Sequence, residues 1–168
     1  MKRPSALLGS AFFLVLAPGT VAGFLPWYLC RWELAPPLLG FAACRVAGAL
    51  FILGGLPVLL DSFTRFALQG LGTPAPLAPT EHLVVSGFYR YVRNPMYVAV
   101  FSLVLGQGLL FGSVNVLAYA AFLWLLFTAF VISYEEPTLR RTFGQQYADY
   151  CAHVGRWIPR LRPYHAPS

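Results

Sequence analysis

Four long apolar runs dominate this sequence and restrict what it can fold into. They cover residues 6–29, 38–60, 95–111 and 115–134. A helix of about 20 apolar residues crosses the roughly 30 Å hydrocarbon core of a bilayer, and only the third run is shorter than the others. Of the 168 residues, 58% are hydrophobic and 11% are charged, whereas soluble domains average about 25% charged residues. We therefore expect an all-α, polytopic integral membrane protein with about four transmembrane helices, forming one domain over residues 1–168.

The first two runs carry features that predict their shape and packing. Pro18 and Gly19 near the middle of the first run predict a kinked span, and the run is longer than the apolar part of a signal peptide. Arg45 lies inside the second run, where it either reaches the nearer membrane surface or pairs with a buried polar group. Small residues in the second run predict close packing against another helix: Gly40, Ala43, Ala47, Gly48, Gly54 and Gly55.

The positive charges predict the orientation in the membrane. No charged residue separates the third and fourth runs, and only one basic residue, Arg31, separates the first and second. The other basic residues outside the runs precede the first run, separate the second from the third, or follow the fourth. The positive-inside rule then places both termini on the cytoplasmic side of the membrane. We expect that membrane to be an inner, plasma or endomembrane. The net charge of +6 fits cytoplasmic loops and anionic membrane lipid, and we expect no nucleic-acid partner.

A polar and aromatic segment, Ser86 to Tyr97, lies between the second and third runs. Pro95 suits the first turn of a helix because its missing N–H would be unpaired there, and Asn94 is then placed as the N-cap. The positive end of this helix, beside Arg93, predicts a site for a carboxylate or phosphate. The alternative is that Asn94 only caps the helix and Arg93 only anchors it to lipid headgroups.

A second polar cluster, Glu135-Glu136-Pro137, closes the fourth run. Proline disfavours the helical conformation of the residue before it, so we expect the fourth helix to bend or end at Glu136. An amphipathic helix should start at Pro137 and end before Pro159. Glu136 and Arg140 have the spacing of an i,i+4 ion pair. The two carboxylates either form a solvated helix start or bind the hydroxyls or cation of a ligand.

These two clusters resemble one known family. Residues 87–97, G-F-Y-R-Y-V-R-N-P-M-Y, are similar to the signature G-x-Y-x-x-x-R-H-P-x-Y of the isoprenylcysteine carboxyl methyltransferases and the related phospholipid N-methyltransferases. Residues 135–150 are similar to the ending E-E-x-x-L-x-x-x-F-G-x-x-Y-x-x-Y of the same family. With the Trp157-Ile158-Pro159 that follows, the resemblance covers residues 80–160, about half of the chain.

The resemblance implies that S-adenosylmethionine binds in a pocket open to the cytoplasm, between the last two spans and the C-terminal helix. Arg93, Asn94 and Glu136 are the implied catalytic residues, and Tyr147 and Arg156 the implied acceptor-binding residues. The implied cofactor-binding residues come from both clusters: Gly87, Tyr89, Arg93, Asn94, Pro95, Tyr97, Glu135 and Glu136. Asn94 departs from the family, which commonly has a histidine there, and an amide cannot carry a proton.

The resemblance also implies a lipophilic methyl acceptor, either an isoprenylcysteine-like carboxylate or a phospholipid amine. Methyl transfer needs no metal, and we expect none. Two alternatives stay open: a sterol-reductase-like enzyme that uses NADPH, because such enzymes carry a similar R-H-P-x-Y segment, and a non-catalytic membrane scaffold or binder. The phosphates of NADPH usually need more arginines than this loop offers. The sequence leaves the oligomeric state open.

Overall fold

Helices and turns make up the folded chain. The computed structural model describes residues 16–69 and 82–165, and no β-strand occurs in those two ranges. Within those ranges, five helices come after a helical stretch over residues 16–19: α1 (Leu25–Cys30), α2 (Ala43–Gln69), α3 (Pro95–Phe111), α4 (Val114–Phe130) and α5 (Glu136–His153). Two π-helical turns, Thr20–Phe24 and Val131–Glu135, precede α1 and α5, and two 3-10 turns cover Leu38–Gly40 and Gly87–Arg90. The all-α class is confirmed.

The helices agree with the apolar runs to different degrees. Helix α3 has the predicted bounds, whereas α2 begins five residues later than its run and continues nine residues beyond it, to Gln69. Two helical stretches, Ala43–Arg65 and Val114–His153, are long and apolar enough to cross a membrane, and α3 is apolar but shorter. Most of the first half of the 6–29 run lies outside the described residues, so four spans stay a prediction. The apolar helices indicate a membrane protein.

The fourth helix does not end at Glu136, contrary to the sequence prediction. Glu136 has helical dihedral angles, φ −61° and ψ −44°, and the helix continues through the π turn Val131–Glu135 into α5. The wider π turn lies immediately before the proline region, where Pro137 supplies no N–H and its ring needs room. The interruption comes instead at Gly144, with φ 51° and ψ −123°, a conformation that glycine adopts without a Cβ penalty. Helix α5 ends at His153, six residues before Pro159.

The same arrangement of a π turn and a proline occurs in the first apolar run. Gly19 is helical, with φ −62° and ψ −40°, and the helix widens directly after it in the turn Thr20–Phe24, just before Pro26. The turn before Pro18 lies partly outside the described residues, so the kink at Pro18-Gly19 stays a prediction. The ring of Pro26 removes one backbone donor from the Thr20–Phe24 turn. Side chains of α3 and α4 supply others: Gln107 Nε2 donates to the Ala22 carbonyl at 2.6 Å, and Tyr119 Oη to that of Val21 at 3.1 Å.

Glycines bring α2 and α3 into backbone contact. A Cβ added to Gly48 would lie 2.6 Å from the Gly106 carbonyl oxygen, and one added to Gly106 would lie 2.7 Å from that of Gly48. One helical repeat further on, a Cβ on Gly55 would lie 3.1 Å from the Ala99 carbonyl. The predicted small-residue face therefore packs through Gly48 and Gly55, whereas a Cβ on Gly54 would meet nothing within 4 Å.

Two local predictions concern the loops around this helix pair. Arg45, for which the sequence left the membrane surface and a buried polar group open, donates from Nη2 to the carbonyl of the exposed Ala35 at 2.6 Å. The short connection between α3 and α4 is a tight turn in which Gly112 has a φ of 69° and Ser113 Oγ accepts from the Val116 N–H at 3.4 Å. This turn sets α3 and α4 side by side.

Candidate functional site

The C-terminal segment folds back along the Gly87–Arg90 turn and the residues after it. Three backbone hydrogen bonds, each 2.9 Å long, pair the two segments. The N–H of Arg93 donates to the Gly155 carbonyl, that of Arg160 to the Tyr91 carbonyl, and that of Tyr164 to the Arg90 carbonyl. The sequence analysis did not foresee this pairing, which brings residues after α5 to the start of α3.

Aromatic side chains hold the same segment against the helices. Trp157 packs on Trp124 of α4 with ring centroids 4.8 Å apart, and Trp124 packs on Phe101 of α3 at the same separation. This row of rings joins α3, α4 and the returning segment beside the polar cluster, and it supplies apolar cover there.

Glu136 is the centre of that polar cluster. Its two carboxylate oxygens accept from Arg156, Oε1 from Nε at 2.7 Å and Oε2 from Nη2 at 2.9 Å, while Arg93 Nη1 lies 3.1 Å from Oε1. The Glu136 side chain is 9% exposed, so the two guanidinium groups compensate a buried charge. The hydrogen bonds to Glu136 raise the pKa of Arg156 above its ordinary value, so Arg156 stays cationic. The predicted pair of Glu136 with Arg140 is not formed.

Arg93 connects this carboxylate to the inner face of α5. Its Nη1 also lies 2.7 Å from Cys151 Sγ, a contact that no spacing in the sequence indicated. Its Nε is buried and has no hydrogen-bond partner among the described residues. A guanidinium N–H in that position is free to donate to a ligand.

Glu135 and Tyr97 form a second contact between the two clusters. Tyr97 Oη donates to Glu135 Oε2 at 3.0 Å, and its ring packs on Phe127 of α4 with centroids 5.0 Å apart. No hydrogen bond reaches Glu135 Oε1 from within the part of the chain that the structure describes. The hydrogen bond between Tyr97 and Glu135 joins the start of α3 to the π turn before α5.

Asn94 holds the N-cap position of α3, but its side chain does not cap the helix. Its Nδ2 donates to the Arg156 carbonyl at 3.2 Å, while its backbone carbonyl accepts from the Val98 N–H at 3.1 Å. The amide therefore fixes the backbone of the residue whose guanidinium binds Glu136. Pro95 is buried as the first residue of α3, as predicted.

Gly87 and Tyr89 have different surroundings. Gly87 has a φ of 55°, a backbone conformation that favours glycine, and a Cβ there would displace the flexible side chain of Arg65. Tyr89 is buried, its carbonyl accepts from Tyr150 Oη at 2.5 Å, and its own Oη has no partner among the described residues. Of the two, only Tyr89 offers a free donor.

Of the two implied acceptor-binding residues, Tyr147 lies within α5 and Arg156 follows that helix. Tyr147 is buried, packs beside Tyr150 with ring centroids 6.3 Å apart, and lies within electrostatic range of Cys151, Glu136 and Arg93. Arg156 already spends its guanidinium on Glu136. The structure thus brings one group of predicted residues together: Arg93, Asn94, Tyr97, Glu135, Glu136, Tyr147 and Arg156. Gly87 and Pro95 instead line a cavity beside α2. Within the described residues, no group of three or more His, Cys, Asp or Glu could hold a metal ion.

Comparison with known proteins accounts for this arrangement. The family model described as "Phospholipid methyltransferase" matches residues 43–146, which is more than half of the chain. This chain belongs to the phospholipid methyltransferase family. The resemblance seen in the sequence is confirmed, and the match reaches back to α2, where the sequence analysis found no family motif.

Individual relatives carry two kinds of name. A protein-S-isoprenylcysteine O-methyltransferase of Schizosaccharomyces pombe is 38% identical over 48% of this chain and 35% of its own length. One from Dictyostelium discoideum is 26% identical over 96% of this chain and 69% of its own length. The nickel-cobalt-cadmium resistance protein NccN of Alcaligenes xylosoxydans xylosoxydans is 31% identical over 73% of this chain and 56% of its own length. The chain thus spans only about a third of the length of the yeast relative.

Proposed function

We propose that this protein is an S-adenosylmethionine-dependent methyltransferase that acts on a lipophilic acceptor at the cytoplasmic face of a membrane. The observation that carries the proposal is the meeting of the two family motifs in space, through Arg93 with Glu136 and Tyr97 with Glu135. These residues come from the chain around the start of α3 and from the junction of the Val131–Glu135 turn with α5, about forty positions apart. Membership of a family named for methyltransferases supports the same reaction class.

The polar atoms at this site fit the amino-acid end of S-adenosylmethionine. That end carries a carboxylate and an ammonium group. Two buried donors without partners among the described residues, Arg93 Nε and Tyr89 Oη, would hold the carboxylate. The unpaired Oε1 of Glu135 would accept from the ammonium, and Tyr89 lies within electrostatic range of Glu135 and Tyr97. Buried donors without partners are costly, so a ligand that satisfies Arg93 Nε and Tyr89 Oη is expected to bind tightly.

When bound, the cofactor supplies a methyl group on a positively charged sulfur, which an acceptor displaces in line. The chain's own residues provide alignment and exclusion of water, which dominate the rate of such a reaction. Arg93 and Glu136 orient the site, and the returning segment with Trp157 covers it. Asn94 positions Arg156 and transfers no proton.

The methyl acceptor is either a carboxylate or an amine, and the two need different groups at the site. A carboxylate acceptor needs only a cation, which Arg156 would supply if it exchanged Glu136 for the acceptor. An amine acceptor must lose a proton, for which Glu135 Oε1 is the available base. Helix α5 carries Tyr147 toward the site, and the apolar helices α3 and α4 border it, so we propose that the acceptor enters sideways from the bilayer.

The proposed orientation has four spans with both termini cytoplasmic, because the charge-rich segments then share one side. It puts Glu136 and Arg93 at the cytoplasmic face. A reporter fused after Ser168 is expected to show a cytoplasmic location, and one inserted between Gly112 and Ser113 the opposite side. A C-terminal reporter outside the cytoplasm would overturn this orientation and move the site to the other face.

Calorimetric titration followed by a transfer assay tests the activity. The purified, folded chain in detergent is expected to bind S-adenosylmethionine and its demethylated product at one site, and not NADPH. Labelled methyl groups should then appear in a total membrane lipid extract and not in a pool of soluble metabolites. Binding of NADPH alone would favour a reductase, and binding of neither cofactor would favour a non-catalytic protein. Label found only in water-soluble products would contradict entry from the bilayer.

A further inference from the structure

A cavity of about 710 Å³ lies between the second half of α2 and the Gly87–Arg90 turn. At Val58 and Val98, which line both spaces, it adjoins a narrower slot of about 130 Å³ that runs between α2 and α3. We call the cavity and the slot together the α2–α3 groove. The groove is separate from the cluster around Glu136, because neither space is lined by a residue of α4 or α5.

The two spaces lie on a different face of α3 from the methyltransferase site. Pro95, Val98, Ala99 and Ser102 line the groove, and residues spaced by three, four and seven share one side of a helix. Tyr97 points to another side, where it meets Glu135 and packs on Phe127 of α4. A molecule in the groove therefore does not occupy the place of the methyl acceptor.

The groove changes from polar to apolar along its length. Its wide end holds Asp61, Arg65 and Arg90, and its slot is lined by side chains such as Leu50 and Phe51 together with the open backbone of Gly54. Arg65 Nε donates to both carboxylate oxygens of Asp61, at 2.8 and 2.9 Å, so the charges of these two side chains compensate each other. Arg90 donates from Nε to the neutral Tyr164 carbonyl at 2.7 Å, and no carboxylate in the described ranges forms an ion pair with it. The wide end therefore keeps one uncompensated positive charge.

From this charge and shape we propose that the α2–α3 groove binds an anionic single-chain lipid. Arg90, with the terminal nitrogens of Arg65, holds the headgroup phosphate, and the hydrocarbon chain lies in the slot along Val58, Val98 and Gly54. Two features favour a lipid over a soluble anion. The slot opens along α2, a helix apolar enough to cross a membrane, and the arginines stand where its apolar run gives way to polar residues, which is the depth of lipid headgroups.

Gly54 provides a way to fill the slot without disturbing the helix packing. A Cβ there meets nothing within 4 Å, so the side chain of a Gly54→Leu variant has room to enter the slot. Gly23 has the same open surroundings but lies in the π turn before α1. Gly23→Leu is therefore a matched control that adds the same side chain elsewhere.

Native mass spectrometry of the full chain in detergent tests the proposal with two probes that share one chain. Oleoyl lysophosphatidate carries the anionic headgroup, and oleoyl lysophosphatidylcholine carries a zwitterionic one. We expect the wild-type chain and Gly23→Leu to bind the anionic probe at least tenfold more tightly than the zwitterionic one. Gly54→Leu should lose at least tenfold in affinity for the anionic probe, and Arg90→Gln, which keeps a donor for Tyr164, should lose the preference between headgroups.

Each contrary result overturns the proposal. Equal affinities of wild type and Gly54→Leu for the anionic probe would mean that the probe binds elsewhere. Displacement of the probe by inorganic phosphate would mean that the hydrocarbon chain of the lipid contributes nothing to binding. Failure of the wild-type chain to bind either probe would mean that the groove is not a lipid site. Because S-adenosylmethionine affinity should be unchanged in Gly54→Leu, these outcomes are distinguishable from failure of the methyltransferase proposal.

Discussion

Replacing Glu136 with alanine is expected to lower the free energy of unfolding by about 3–5 kcal/mol, since breaking a buried ion pair leaves its partners uncompensated. Arg93 would lose its only ion-pair partner among the described residues, and Arg156 would lose both of its side-chain hydrogen bonds. Thermal or SDS-induced unfolding in detergent measures the effect. Glu33→Ala serves as the control, because Glu33 is exposed and forms no ion pair within the described residues.

The conservative change Glu136→Gln separates binding from folding. It keeps the shape and one acceptor oxygen but removes the charge, so the chain should still insert in the membrane. A lost hydrogen bond to a charged group costs about 1.5–3 kcal/mol, so S-adenosylmethionine affinity should fall about tenfold or more, as it should in Arg93→Ala. The exposed Arg162→Ala is the control. Unchanged affinity in both site variants, with unfolding affected as expected, would leave these residues a purely structural role.

Replacing Gly48 with leucine is expected to separate α2 from α3. Even a Cβ at this position would lie 2.6 Å from the Gly106 carbonyl and 2.6 Å from the Leu110 backbone nitrogen, and backbone atoms cannot move aside as a side chain can. Overpacking typically costs about 1–3 kcal/mol and sometimes more. We expect a loss at the upper end, about 3 kcal/mol, together with poor accumulation in the membrane.

Gly54→Leu is the matched control for that change on the same helix, because its added side chain meets open space. SDS-induced unfolding of the two variants beside the wild type makes the comparison. If Gly48→Leu were as stable as the wild type, α2 and α3 could not be in backbone contact at Gly48 and Gly106. A loss of stability in Gly54→Leu as large as that in Gly48→Leu would point to a general intolerance of leucine in α2.

Local sequence pattern was enough for α3 and for the turn that follows it. Pro95 at the first helical position and Gly112 with its positive φ bound that helix, and both residues act through their own backbone. Pro137 misled the prediction. It follows a π-helical turn, as Pro26 does, so the helix continues where Pro137 was expected to bend or end it. Whether a helix can widen in this way depends on what packs around it, as Gln107 and Tyr119 do around the first π turn.

For the candidate site too, some features follow from local sequence and others depend on the tertiary structure. The sequence by itself determined the helical class, the apolar runs and the two clusters, because these follow from composition and from contacts within a few residues. Only the tertiary structure decided the partners: Arg156 and not Arg140 for Glu136, and the Arg156 carbonyl and not the helix end for the Asn94 side chain. The physical reason is the return of residues 155–164 along the start of α3. That return brings together groups some twenty to sixty positions apart, whose pairing no local spacing encodes.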